Sequence, residues 1–135
     1  MNQYILDTDI CVFTLRGRYE LDKKIIEVGI QNCFLSEITV AELKVGAEKS
    51  EFPLKNHQIV ELFCNKITIL PISRAIDIFA EEKAKLQKSG RNISDFDLLI
   101  GATAIYYQLV LATNNVKHFS RMEKLLFDNW IQKQL

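Results

Sequence analysis

The chain predicts a three-layer α/β domain built on a central, mainly parallel sheet. Three observations carry this. Short apolar runs with strand character recur along the chain. Each is separated from the next by one or two helical segments, and such crossover connections make strands parallel. Two of the runs end in polar residues, Asp7 and Thr113-Asn114-Asn115, which puts both at the carboxyl edge of the sheet. In open α/β sheets that edge, at a switch in strand order, is where sites form.

In order, Tyr4-Ile5-Leu6 reads as a strand ending in Asp7. Asp9 is placed to cap a short helix through Val12, Phe13 and Leu15, stopped near Gly17. Leu21, Ile25, Ile26 and Val28 form a second helical stripe, ended by Gly29. Cys33-Phe34-Leu35 reads as the second strand. Ile38 to Glu48 is helical, with Ser36 or Thr39 as the cap. Pro53 opens another helix, with Ile59, Leu62 and Phe63 facing inward. Ile67-Thr68-Ile69-Leu70 is a strand closed by Pro71. Ser73 starts a long helix with Ile76, Phe79, Ala80, Ala84 and Leu86 on one stripe, ended at Ser89-Gly90. The segment from Asp97 to Tyr107 is apolar or small nearly throughout, so it predicts a helix buried on most sides. Val110-Leu111-Ala112-Thr113 is a strand, and Phe127 to Ile131 is a candidate last edge strand.

At 135 residues the chain predicts a single domain spanning 1–135. Hydrophobic residues make up 48% and charged residues 25%, ordinary for a globular protein. With 17 basic and 17 acidic side chains the net charge is zero, so any nucleic-acid site is local rather than global. No run approaches the roughly 20 apolar residues of a membrane span. Met1-Asn2-Gln3 lacks the basic start of a secretory signal, so a cytoplasmic location is expected. Cys11, Cys33 and Cys64 are odd in number and far apart, with no C-x-x-C pair. Small core packing in a reducing compartment is the expectation, not a zinc site or a disulfide framework.

The chemistry-bearing set is Asp7, Glu42, Asp97 and the Thr113-Asn114-Asn115 turn. Asp7 follows a strand, Glu42 sits in the largely apolar first turn of its helix, and Asp97 heads the buried helix. Converging carboxylates raise one another's pKa values or recruit a cation. Oxygen-only ligands suit Mg²⁺ or Mn²⁺. Such a cation suits phosphodiester hydrolysis, with a carboxylate orienting water or taking its proton.

Four pieces resemble, in order, the PIN-domain family, specifically the VapC-type toxin ribonucleases of bacterial toxin–antitoxin modules. They are Leu6-Asp7-Thr8-Asp9-Ile10, then Ser36 to Leu43 with Gly46 after it, then Asp97 to Ala104, then Thr113 to Phe119. The resemblance spans essentially the whole chain. It implies a PIN-like fold and a Mg²⁺-dependent endoribonuclease, with Mn²⁺ as a substitute. It also implies a homodimer acting on RNA, neutralised by a cognate VapB-like antitoxin whose tail covers the active site. Carried over, Asp7 and Asp97 are principal metal ligands, and Glu42 completes the acidic pocket directly or through water. Asn115 falls where many relatives carry a fourth acid; an amide has no negative charge and cannot act as a base. Asp9 stands where relatives often have Asn, and either adds charge or caps a helix.

Each residue has a plainer alternative. Ser94 caps the Asp97 helix in a capping-box variant, and an acid near a helix N-terminus is stabilised by the dipole alone. Asp7 is itself placed to cap the following helix, Glu42 reads as an ordinary first-turn acid, and Asp95 as a cap or rim residue. His57 and His118 are expected at the surface or bonded to a partner, and Tyr106-Tyr107 in the core. Arg16, Arg18, Lys23, Lys24, Lys44 and Lys49 are either a solvated face or local RNA-phosphate contacts. Two other functions compete. Asp7-Thr8-Asp9 mimics the nucleophile motif of haloacid-dehalogenase phosphatases. Against that, Cys11 stands where that motif wants Thr, and Thr113 follows Asp95 and Asp97 in reversed order. A catalytically weak PIN-like protein that only binds RNA or a partner is the other, motivated by Asn115.

Overall fold

The computed structural model describes residues 2–131. Strand β1 (Tyr4–Leu6) leads to helices α1 (Thr8–Leu15) and α2 (Leu21–Val28). Strand β2 (Cys33–Ser36) precedes α3 (Glu37–Lys49) and α4 (Pro53–Asn65). Strand β3 (Thr68–Leu70) is followed by α5 (Ile76–Ser89) and α6 (Asp95–Tyr107). Strand β4 (Val110–Ala112), the short α7 (Val116–Phe119) and β5 (Phe127–Asp128) complete the order. The five strands are all parallel, in the order β3-β2-β1-β4-β5.

Strand alternation sorts the core into two layers. Ile5 pairs with both Phe34 and Leu111, and these side chains share one face. Leu98, Ile100 and Ala104 of α6, Leu86 of α5 and Phe119 of α7 cover that face. Leu6, Leu35 and Ala112 point the other way, onto Ile10, Cys11, Leu21, Ile25, Leu43, Ala47, Val60 and Cys64 of α1 to α4. A period-2 strand buried on both faces reads as a continuous apolar run, as these do. Helix α6 is the most enclosed, with Leu98 and then Ile100 through Ala104 buried. Gly101 permits this close approach: a Cβ there would lie 2.5 Å from Met122 Sδ.

Several local expectations are corrected. Helix α1 is capped by Asp7, not Asp9: Asp7 accepts the Thr8 N–H. Ser36 rather than Thr39 caps α3, accepting the Ile38 N–H at 3.0 Å. Glu42 therefore lies in the second turn of α3, not the first. On α2, Leu21 and Ile25 are buried but Ile26 is exposed. On α4, Ile59 and Leu62 face out, while Val60 and Cys64 face in and Phe63 is half-buried. Helix α4 lies mainly on α3 rather than on the sheet, so its inward line is the single i, i+4 pair.

Ser73–Ala75 forms a 3₁₀ turn before α5 begins at Ile76. The α5 stripe is rotated from the expected one: Ile76, Ala80 and Ala84 are exposed, and Glu82 and Leu86 are buried with Phe79 half-buried. An acid, its carboxylate 3.8 Å from Lys85 Nζ, occupies an inward-facing position there, which apolar periodicity does not register. Tyr106 is exposed rather than in the core, and Tyr107 is half-buried. Strand β5 is only Phe127–Asp128; Trp130 and Ile131 leave the sheet edge and pack into the α1–α4 layer. The three cysteines are free and buried, as expected. Among the described residues no helix is long and apolar enough to cross a membrane.

Candidate active site

From β1 the sheet grows toward β2 and β3 on one side and toward β4 and β5 on the other. The strand order therefore switches between β1 and β4, and the two residues just past those strands are Asp7 and Thr113. The Asp7 N–H donates to the Ala112 carbonyl at 2.9 Å, extending the β1–β4 ladder by one residue. The Thr113 N–H likewise donates to the Asp128 carbonyl at 3.0 Å.

Asp7 is 4% exposed. Oδ1 accepts the Thr8 N–H at 2.8 Å, and Oδ2 accepts the Thr113 hydroxyl at 2.8 Å. Thr113 Oγ1 in turn accepts the Asn115 N–H at 2.9 Å, so the turn after β4 is braced against the acid after β1. Asp9 closes the same turn from α1: Oδ2 accepts the Asn114 N–H at 3.0 Å while Oδ1 accepts the Ile10 N–H at 2.7 Å.

The electrostatics oppose negative charge here. Burial, then the Asp9 charge, then that of Asp97 push the Asp7 carboxyl from 3.8 to about 8, against the opposing hydrogen bonds from Thr113 and Thr8. Burial raises Asp9 as well, with a further push from Asp97; the Asn114 and Ile10 amides and Asp7 hold it back. The carboxylates that bear on Asp7 are thus those of Asp9 and Asp97.

Asp97 stands third in α6 and is half-buried. Its backbone N–H is taken by Ser94 Oγ at 3.3 Å, so the expected cap is present. Capping employs the Asp97 amide and leaves its carboxylate for other work. Asp95 turns away, paired with Lys83 at 2.8 Å.

Glu42 accepts the Thr8 hydroxyl at 2.7 Å, and Thr8 Oγ1 lies 3.0 Å from Thr39 Oγ1. Among the described residues no three His, Cys, Asp or Glu side chains form a group that could hold a metal by themselves. Asp7, Glu42 and Asp97 are therefore not gathered into one cage. Mg²⁺ does not require one: it binds through one or two carboxylates and keeps several waters. Oxygen-only donors, one of them buried and penalised as an anion by two neighbouring carboxylates, fit a hard divalent cation. The chemistry of the Asp7 carboxylate and its neighbours therefore suits such an ion.

Of the basic residues, Lys44 pairs with Glu61 and Lys23 with Glu20, both at 2.9 Å. Arg16, Arg18 and Lys49 are exposed, and Lys24 lies 5.8 Å from the Trp130 ring centre. His57 bonds to Glu48 at 2.8 Å and His118 is exposed, as expected. The sequence reading missed Thr8 and Thr39. The only signals were a Thr flanked by two Asp, and a Thr three residues before an acid on a helix, hence on its face.

Residues 4–125 match the PIN domain family. Ribonuclease VapC2 of Haemophilus influenzae is 37% identical over 133 residues, covering 97% of this chain and 100% of the relative. The tRNA(fMet)-specific endonuclease VapC of Shigella flexneri is 30% identical over 131 residues, covering 96% of this chain and 99% of the relative. Among solved structures, DNA-bound VapBC from Salmonella typhimurium contains a chain similar to this one with a TM-score of 0.90 at 30% identity, covering 96% and 99% of the two chains. VapBC-1 from nontypeable Haemophilus influenzae gives 0.84 at 30% identity, covering 94% and 97%. Family match, sequence identity and fold agree, and the chain belongs to the PIN-domain family, in the VapC ribonuclease group.

Proposed function

We propose that this chain is a single-domain, divalent-metal-dependent endoribonuclease toxin, restrained by a VapB-like antitoxin. The observation that carries this is the buried Asp7 carboxylate at the β1/β4 switch, pressed by the charges of Asp9 and Asp97. Relatives named as ribonucleases and solved VapBC complexes support the same reading.

Asp7 and Asp97 would hold the cation, Mg²⁺ with Mn²⁺ as a substitute. Bound there, it supplies charge for the phosphoryl oxygen and acidifies a water. The remaining work falls to the chain. Thr113 and the Thr8 amide fix both Asp7 oxygens, so the ligand is oriented before substrate arrives. Glu42, held by Thr8, orients the attacking water or takes its proton. Asn115 braces the turn through its backbone and adds no charge at the fourth acid position, so one cation is expected. Exposed Arg16, Arg18 and Lys49 supply the local phosphate contacts that a neutral protein needs. The relative named for tRNA(fMet) makes a structured RNA the first substrate to try. A homodimer in the cytoplasm is part of the proposal.

The test is to express wild type and Asp97→Asn, then sequence RNA 5′ ends. New ends with wild type alone support the reading. RNA binding without new ends in either would leave a binding protein instead, and a phosphate analogue trapped on Asp7 would point to the phosphatase.

A further inference from the structure

We propose that Thr8 is a positioning residue that couples the acid capping α1 to the acid on α3, holding Asp7 by its backbone and Glu42 by its side chain. This rests on the nuclease reading of those acids. The Thr8 N–H donates to Asp7 Oδ1 at 2.8 Å, and its hydroxyl lies 2.7 Å from Glu42 Oε1. The same oxygen is 3.0 Å from Thr39 Oγ1, and Thr39 is fully buried.

One hydroxyl has one proton to give. A carboxylate is the stronger acceptor, and the shorter distance is to Glu42, so the Thr8 proton goes there. The Thr39 hydroxyl, out of reach of water, then donates to Thr8 Oγ1. The result is a directed relay, Thr39 to Thr8 to Glu42. It parallels the chain from the Asn115 amide through Thr113 to Asp7. In both, an acid is held by a threonine hydroxyl that is itself held by a second donor.

Thr suits the position for two reasons. It is the first residue of α1, so the helix fixes its backbone, and β-branching restricts its χ1. Glu42 has no such restriction. It is half-buried on α3, and its longer, unbranched side chain must be ordered to hold one geometry. A fixed hydroxyl from a different element selects one rotamer in advance of substrate.

The experiment compares the full-length chain with Thr8→Val, Thr8→Ser, Glu42→Gln and the double variant Thr8→Val/Glu42→Gln. Val keeps the shape without the hydroxyl; Ser keeps the hydroxyl. RNA cleavage is measured as kcat and KM, and Mn²⁺ affinity is measured by titration calorimetry without RNA. Thr8→Val is expected to lose roughly 10- to 100-fold, mostly in kcat, and to bind Mn²⁺ more weakly. Thr8→Ser should stay near wild type. In the Glu42→Gln background Thr8→Val should add little further loss, because residues acting as one unit are non-additive.

Wild-type behaviour of Thr8→Val in both readouts overturns the proposal. So does equal damage from Ser and Val, or fully additive losses. If wild type cleaves no RNA, the nuclease reading fails, and Thr8 is judged on Mn²⁺ affinity alone. If Thr8→Val does not fold, Thr8→Ala takes its place.

Discussion

Replacing Asp7 by Asn removes the least comfortable charge in the protein while keeping its shape. Asn is as good a helix cap as Asp, so α1 keeps its N-terminal acceptor. In the metal-free wild type, the Asp7 carboxyl titrates at 3.8 when unfolded and at about 8 when folded. Between those values the folded state binds a proton that the unfolded state has released. This contribution to stability is fully present below 3.8 and is lost as pH rises through about 8. The loss runs at about 1.4 kcal/mol per pH unit, or about 3 kcal/mol from pH 5 to pH 7. Asp7 is 4% exposed, so solvent screening does not reduce this much. Asp9 is raised too, so Asp7→Asn is expected to keep a weaker slope of the same sign.

The assay is urea unfolding of both proteins at pH 5, 6, 7 and 8 in EDTA, then at pH 7 with Mg²⁺. Asp7→Asn should match or fall slightly below wild type at pH 5 and overtake it by pH 7. Mg²⁺ should stabilise wild type through ligand linkage and leave Asp7→Asn unchanged. Parallel slopes for the two proteins would refute the reasoning, because the variant would then have lost no coupled proton. A variant less stable at every pH would do the same, showing Asp7 to be structural.

Further outcomes follow from the same geometry. Asp97→Asn should abolish cleavage while keeping or raising the metal-free melting temperature. It relieves pressure on Asp7 and Asp9, and the Ser94 cap uses only the backbone amide; an unfolded variant would make Asp97 primarily structural. Mn²⁺ binding at pH 7 should release about one proton, read by calorimetry in buffers of different ionisation enthalpy, because Asp7 is mostly protonated beforehand. Cleavage at subsaturating metal should accordingly fall as pH drops below 8, and a flat profile into the acid range contradicts it. Gly101→Ala should lower stability by about 1–2 kcal/mol, the clash with Met122 Sδ at 2.5 Å outweighing the gain in helix propensity. The urea midpoint at unchanged slope reads that loss.

How much was legible in the chain depends on the range of the interaction. The short apolar run Tyr4-Ile5-Leu6, the stop at Gly29 and the apolar or small Leu98–Ala104 segment are local patterns, and they led to the parallel three-layer fold and the carboxyl-edge location. The Asp7 and Thr113 positions followed from that, since a strand's end is readable from its own residues. Helix faces were less legible. Ile26, Ile59, Leu62 and Ile76 are apolar yet exposed, while Glu82 is buried, because the facing element and not the period alone decides which line turns inward.

The acids show the division most clearly. Residue order along the chain was enough to nominate Asp7, Glu42, Asp97 and Asn115 and to point to an oxygen-rich centre. Which groups touch was left to the tertiary fold. Thr113 meets Asp7 across 106 residues and Thr8 meets Glu42 across 34. Asp9, not Glu42, is the carboxylate that presses on Asp7 together with Asp97. A carboxylate's partners, its burial and hence its proton affinity are set by what the sheet switch and helix packing bring within a few ångströms. Those distances are properties of the assembled layers and have no trace in local spacing.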